Sequence, residues 1–408
     1  MTTPNGQVGG GQDVRAGQRS PLPLLALCLI LSLSTGTVAA QTDTPIPRLE
    51  YGKGRELAKL ADPAINESSG LAAGRTNPGV FWTHNDSGSR PQVFAFTMEG
   101  KALATVTVTG ARARDWEDIA SFSFNGRGVL LAADVGDNSA NRGLYTLYAF
   151  HEPRLKAQQR SAAGEVKLAQ TINFKYEDGP HNCESVAVDP TDRTIYLVSK
   201  AGGGQCTVYA LRWPKRAQKA PHVARAIATL KIPTTTAMDI SPDGLRAVVL
   251  TYGPAFEYAR RPTETWAQGF ARPGRRIAIP ARAQGESICY GPDGKTLYLT
   301  SECKGKDSAN PSPLLEIPVT KDLPAAVGTV VKAKPRTQPA TQPAAKPEPL
   351  TDQQQIDRQC KQSLNMAENY LRAGKPDKAR QYLQKILDRY PDTPWAAKAR
   401  ARLAEINP

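Results

Sequence analysis

The chain has 408 residues, with 52 Lys and Arg against 38 Asp and Glu, a formal net charge of +14 and 40% hydrophobic residues. Such a length suggests about two or three domains, and the composition excludes both a polytopic membrane protein and a mainly disordered one. Gly and Pro number 33 each against only 4 His, so turn chemistry is abundant.

Residues 1–40 read as a signal peptide. Arg15 and Arg19 precede an apolar run from Leu22 to Ser34, and Val38-Ala39-Ala40 offers small residues for cleavage before Gln41. The run is short for a membrane span of about 20 residues. The expectation is export to the periplasm or the extracellular space, with no stable span after cleavage. Cys28 leaves with the signal. Of the cysteines that remain, Cys183 and Cys206 are expected to pair as a disulfide, which an oxidising compartment permits.

The middle of the chain is internally repetitive. ESVAVDPTDRTIYLVSK from Glu184 aligns without a gap on ESICYGPDGKTLYLTSE from Glu286, and fainter copies start at Glu67, Glu117 and Thr236. Each copy is an apolar strand, a turn such as Pro-Asp-Gly and a second β-rich strand. Repeats of about 50 residues holding four strands are blades of a β-propeller. An all-β propeller is therefore expected over 41–320, five blades favoured and six open.

From 321 to 350 Pro recurs among Ala, Thr, Gln and Lys, as in a semi-extended linker. Residues 351–408 carry apolar and small residues at helical spacing. Ala367, Tyr370, Ala379, Leu383 and Pro391 fall where a tetratricopeptide repeat places its small, aromatic, packed-alanine, large and closing-proline residues. The segment resembles one such repeat over about 360–393, with a third helix from Thr393 to Ile406 turning Ala397 and Ala401 inward. The fold expected for 351–408 is thus a small α-helical domain. Tyr370, Leu371 and Leu383 are its candidate contacts for an envelope or secreted protein, although a single repeat could equally dock on its own chain.

In a propeller the innermost strands start, and the second strands end, at one face. The repeats therefore gather Glu67, Asp115, Glu117, Asp118, Glu184 and Glu286 with His84, Asp86, Asp134, Asp137, Lys200 and Glu302 around one mouth of the central channel. Converging carboxylates need a cation, a basic side chain or raised pKa values, and oxygen ligands suit a hard ion such as calcium. Residues at strand starts also serve simply by bonding backbone amides. Trp116 between two acids is read as a stacking or plugging residue, and Trp82 as core.

The early S-G-L stretch, the D-x-E-x-I stretch of Asp115, Glu117 and Ile119, and the later Glu-Ser strand with its Pro-Asp-Gly turn and T-S-E ending also resemble bacterial propellers of the phytase-like esterase and SdiA-regulated types. The resemblance spans roughly 65–320 and implies a calcium-associated mouth suited to a phosphoester.

No nucleophile elbow, Walker loop, dinucleotide fingerprint or zinc-protease motif appears, and no nucleic-acid motif accompanies the basic residues. The catalytic residues, if any, are not legible. The reading is an exported, non-enzymatic binding or scaffold protein, its mouth taking a cation or small polar ligand and its tail a protein partner. The alternative is a calcium-dependent phosphoester or ester hydrolase, with Asp118, Glu117 and Glu184 on the metal and His84 or His181 as base.

Overall fold

The computed structural model describes residues 48–323, apart from 87, 156–161, 202–203, 216–219, 283 and 303–310, and residues 352–406 apart from 373–375. The expected signal peptide, Cys28, Cys303 and 324–350 of the expected linker lie outside the described residues.

The described chain is mostly β, with a small helical region at its C-terminal end. It opens with β1 (Arg48–Tyr51) and β2 (Arg55–Lys59), followed by strands that fall into antiparallel sets of four. The first set is β3 (Ser68–Ala73), β4 (Val80–Asn85), β5 (Gln92–Thr97) and β6 (Ala102–Thr109). The second is β7 (Trp116–Phe124), β8 (Arg127–Asp134), β9 (Tyr145–His151) and β10 (Ala162–Tyr176). The third is β11 (Cys183–Val188), β12 (Ile195–Ser199), β13 (Cys206–Leu211) and β14 (His222–Leu230).

The fourth set is β15 (Thr235–Ile240), β16 (Arg246–Thr251), β17 (Ala255–Ala259) and β18 (Arg275–Ile277), with the one-turn helix α1 (Trp266–Phe270) before its last strand. The fifth runs β19 (Ser287–Tyr290), β20 (Leu297–Thr300) and β21 (Pro313–Ile317), and β2 from the N-terminal end supplies its outer strand. Finally β22 (Val319–Leu323) pairs with β1. Lys321 to Leu323 therefore belong to a strand, and the linker expected from 321 starts after them. The outer strand β10 is long because it does three jobs. It closes its own set and also runs parallel to β6 and to β14.

The alternation of each strand explains the core. Apolar residues on both faces pack against the sets before and after, and a buried cluster lies between each neighbouring pair. Trp82 and Ile119 join the first set to the second, Phe122 and Val186 the second to the third, and Val198 and Met238 the third to the fourth. Leu250 and Ile288 join the fourth to the fifth, and Phe81 and Tyr298 bring the fifth back to the first. The leading strands β3, β7, β11, β15 and β19 touch in that order, and β19 returns to β3.

Hydrogen bonds between sets fix this arrangement. Asp118 is fully buried, and its carboxylate accepts from Ile119 N at 2.9 Å, Val186 N at 2.8 Å and Met238 N at 3.2 Å, tying three sets together. Asp239 repeats the device, accepting from Ile240 N and from Tyr290 N, both at 2.8 Å. Gly70 N donates to Glu286 O at 3.3 Å, joining the first set to the fifth.

The C-terminal region is α2 (Asp352–Arg372), α3 (Pro376–Arg389) and α4 (Pro394–Ile406). Ala367, Ala379 and Leu383 are fully buried and let α2 and α3 approach closely. In α4 the inward residues are Ala396 and Ala399, while Ala397 and Ala401 are exposed, a shift from the expected face. Among the described residues, no helix is long and apolar enough to cross a membrane.

Candidate functional site

A backbone irregularity builds the site. In the second, third and fourth sets the pairing of the first two strands slips by one residue, at Glu117, Glu184 and Thr236 respectively. Such a bulge inserts an unpaired residue and re-aims its side chain. Glu117 and Glu184 are thereby released from strict alternation at the starts of β7 and β11, at the edge where β4, β12 and β20 end.

There the carboxylates converge. Asp86, Asp115 and Glu117 form one group, and Asp86, Glu286 and Glu302 another, with ligand oxygens within 4.8 Å of one another in each. Asp86 belongs to both. Glu184 joins them through Lys200, with which it makes an ion pair. Lys200 Nζ also donates to Tyr252 Oη at 2.8 Å, and Tyr252 Oη reaches Glu286 Oε1 at 3.3 Å. Gln284 Nε2 donates to the same Glu286 oxygen. Six carboxyl groups are thus linked in one cluster that reaches Lys200, and Glu117, Glu184, Glu286, Glu302 and Lys200 are all buried.

Electrostatics follow from that imbalance. Burial pushes Glu117 well above the carboxylate range, and Glu184, Asp86 and Asp115 push it further against the pull of Lys200. Asp115 rises to about 6, through burial and then the charge of Asp86. Glu184 rises to about 8, because burial and the charges of Glu286 and Asp86 outweigh Lys200. Lys200 itself is held in the charged form by Glu184, Tyr252 and Glu286. Lys200 keeps its proton, while Asp115, Glu117 and Glu184 hold theirs to higher pH than free carboxyls do.

The remaining residues expected at the mouth do different work. Asp118 lies deeper, in the backbone bonds described above. Asp134 Oδ1 meets Arg142 Nη2 at 2.8 Å, and Asp134 Oδ2 accepts from Arg114 N at 3.2 Å. Asp137 Oδ2 accepts from Arg142 N at 2.7 Å and Tyr145 Oη at 2.9 Å. The backbone at Glu67 bonds to Asn85 and Asp86.

Of the two candidate bases, His84 is fully buried, its Nδ1 bonded to Asn85 O at 2.9 Å and its ring edge-on to Trp116. Burial lowers it to about 4. His181 Nε2 is shared between Asp178 Oδ1 at 2.8 Å and Tyr209 Oη at 2.6 Å, inside a box of tyrosines. Trp116 does not stack at the mouth. It is buried between the first two sets and donates Nε1–H to Arg112 O at 2.9 Å. Trp82 is core, as expected, with Nε1–H on Glu152 Oε1 at 3.1 Å.

The expected disulfide is corrected. Cys183 and Cys206 are free, buried thiols. They sit on β11 and β13, with β12 between them, and two strand spacings of about 4.8 Å exceed the roughly 7 Å that a disulfide spans between Cα atoms. Cys183 points toward Ser185 O, and Cys206 toward Pro233 O, each at 3.5 Å.

The helical region also reaches the site. Tyr382 on α3 donates its hydroxyl to Asn138 Oδ1 at 2.6 Å. Tyr370 stacks on Tyr382 with centroids 5.4 Å apart, and both rings are buried. Leu383 is in the helical core and Leu371 packs against it, so these three candidate docking residues are engaged within the chain. Residues 363–393 match the tetratricopeptide repeat family. Repeats of this family generally mediate protein interaction. No curated protein matched the chain.

Gly136, Lys200, Tyr252, Gln284 and Tyr382 complete the site. Lys200 was legible as the end of its repeat, whereas Tyr382 was not among the repeat positions read from the sequence. Nothing in the sequence signalled Gln284 or Tyr252.

Proposed function

We propose that the β region is a five-bladed propeller whose mouth binds a divalent cation of the calcium class, in an exported, non-enzymatic binding protein. Five four-stranded sets with a cluster between each neighbouring pair support the blade count, and β2 would close the ring by completing the fifth blade.

The observation that carries the cation reading is the pair of three-carboxylate groups sharing Asp86. The donors are all oxygens, which suits a hard cation. Asp86, Asp115, Glu117, Glu286 and Glu302 would hold the ion. Export rests on the signal-like residues 1–40, and the tetratricopeptide match supports a role in protein contact.

A calcium-dependent phosphoester or ester hydrolase is the second reading, favoured by the carboxyl of Asp115, which burial and the charge of Asp86 push up to about 6. It has less support because His84 and His181 are both engaged away from the carboxylates.

Titration of the full chain with calcium tests the first reading. Binding with a rise in melting temperature is expected, and Asp86→Asn with Glu117→Gln should abolish both. A melting temperature indifferent to calcium sinks it. Turnover of phosphoester or carboxylester substrates that Glu117→Ala removes would instead establish the second.

A further inference from the structure

We infer that the helical repeat is an internal lid on the acidic mouth, closing it against ligand. This rests on the cation-binding mouth proposed above, and it follows from which side chains the helices bring there.

A direct bond between residues far apart in sequence fastens the lid, Tyr382 Oη–H to Asn138 Oδ1 at 2.6 Å. Asn138 belongs to the loop after β8, the same loop that carries Gly136 beside Asp115 and Glu117. Its neighbour Asp137 is held by Arg142 and Tyr145, so Tyr382 grips a rigid part of the rim. Tyr370 lies within electrostatic reach of Lys200 and Tyr252, and Tyr382 within reach of Lys200 and Glu184. Lys385, one turn on from Tyr382, sits 4.7 Å from that ring and feels the charge of Asp115.

The lid therefore presents an aromatic pair and a cation to a mouth rich in carboxylates. Both partners are matched in charge, and Lys385 supplies at the rim a positive charge of the kind a bound ion would bring. A ligand that needs Asp115 must compete with that contact, so its apparent affinity is reduced by the fraction of molecules that are open.

Two variants of the full chain test this, Tyr382→Phe, which removes only the hydroxyl, and Lys385→Glu, which reverses the charge facing Asp115. Hydrogen exchange reports the lid without any ligand, and calcium titration reports the mouth. Loss of one hydrogen bond should open the lid roughly three- to ten-fold more often. Amides of 136–142 should exchange faster by that factor in both variants, and calcium should bind more tightly by the same factor. Unchanged exchange in both variants overturns the lid. Faster exchange with unchanged or weaker calcium binding overturns its gating role. If neither the parent chain nor the variants bind calcium, the cation reading fails while the exchange result still decides the lid.

Discussion

Lys200 and Glu184 form an ion pair in which neither side chain is more than 5% exposed, and Glu184 also feels the charges of Glu286 and Asp86. Glu184 is nonetheless pushed up to about 8, from an ordinary value of 4.5. A folded state that holds a proton which the unfolded chain releases loses stability as pH rises. The contribution is complete below the ordinary value and is lost as pH climbs through about 8. Asp115, raised to about 6, acts with the same sign at lower pH. His84, lowered from 6.5 to about 4, acts with the opposite sign, and its slope is smaller than that of Glu184 at pH 6.5 and nearly gone by about pH 7.5. From about pH 6.5 to 8.5 the metal-free protein should therefore lose stability, with a slope of up to about 1.4 kcal/mol per pH unit for one such group. Thermal unfolding across that range checks the sign, and saturating calcium should flatten the curve.

Gly136 tests the site without changing its charge. A Cβ there would collide with Glu117 Oε1 and with the Asp115 carboxyl. Gly136→Ala should displace both carboxylates and weaken calcium binding at least tenfold in a titration, while far-UV circular dichroism stays that of the parent.

The Asp118 carboxylate accepts three backbone amides from three successive sets. Asp118→Ala leaves those buried donors without their acceptor, at about 1–3 kcal/mol each. A loss on the order of 3–5 kcal/mol in denaturant unfolding is expected, and a loss below about 1 kcal/mol would contradict this role.

Cys183 and Cys206 should each stay unalkylated in native protein and react once it is unfolded, with no reductant needed. Burial pushes the Cys183 thiol up to about 12 and raises that of Cys206. Peptide mapping by mass spectrometry distinguishes this from a linked pair.

The aligned segments starting at Glu184 and Glu286 marked the leading strand and hairpin of two sets, and the tetratricopeptide pattern marked α2 and α3, because both repeat a local period. The convergence of Glu117, Glu184, Glu286 and Glu302 was also legible, since these residues start or end corresponding strands of their repeats. His84 was misjudged for a reason the repeat conceals. At the end of β4 its side chain faces the packing between sets, against Trp116. Asp134 and Asp137 answer to Arg142, which no motif had singled out. The disulfide failed because sequence order says nothing about which strand lies between two cysteines. The bulges at Glu117 and Glu184 left no sequence mark at all.

The pairing of β2 with β21 and of β1 with β22 has a consequence for biogenesis. The first strands made wait for nearly the last strands of the β region, with more than 250 residues between Arg55 and its partner Glu316. A nascent or truncated chain lacking Pro313 to Ile317 would leave an open edge on β20 and no partner for β2, a template for aggregation. Pairing of β2 with β21 therefore waits until synthesis has passed Ile317, so the β region locks only after nearly all of its own strands have been made.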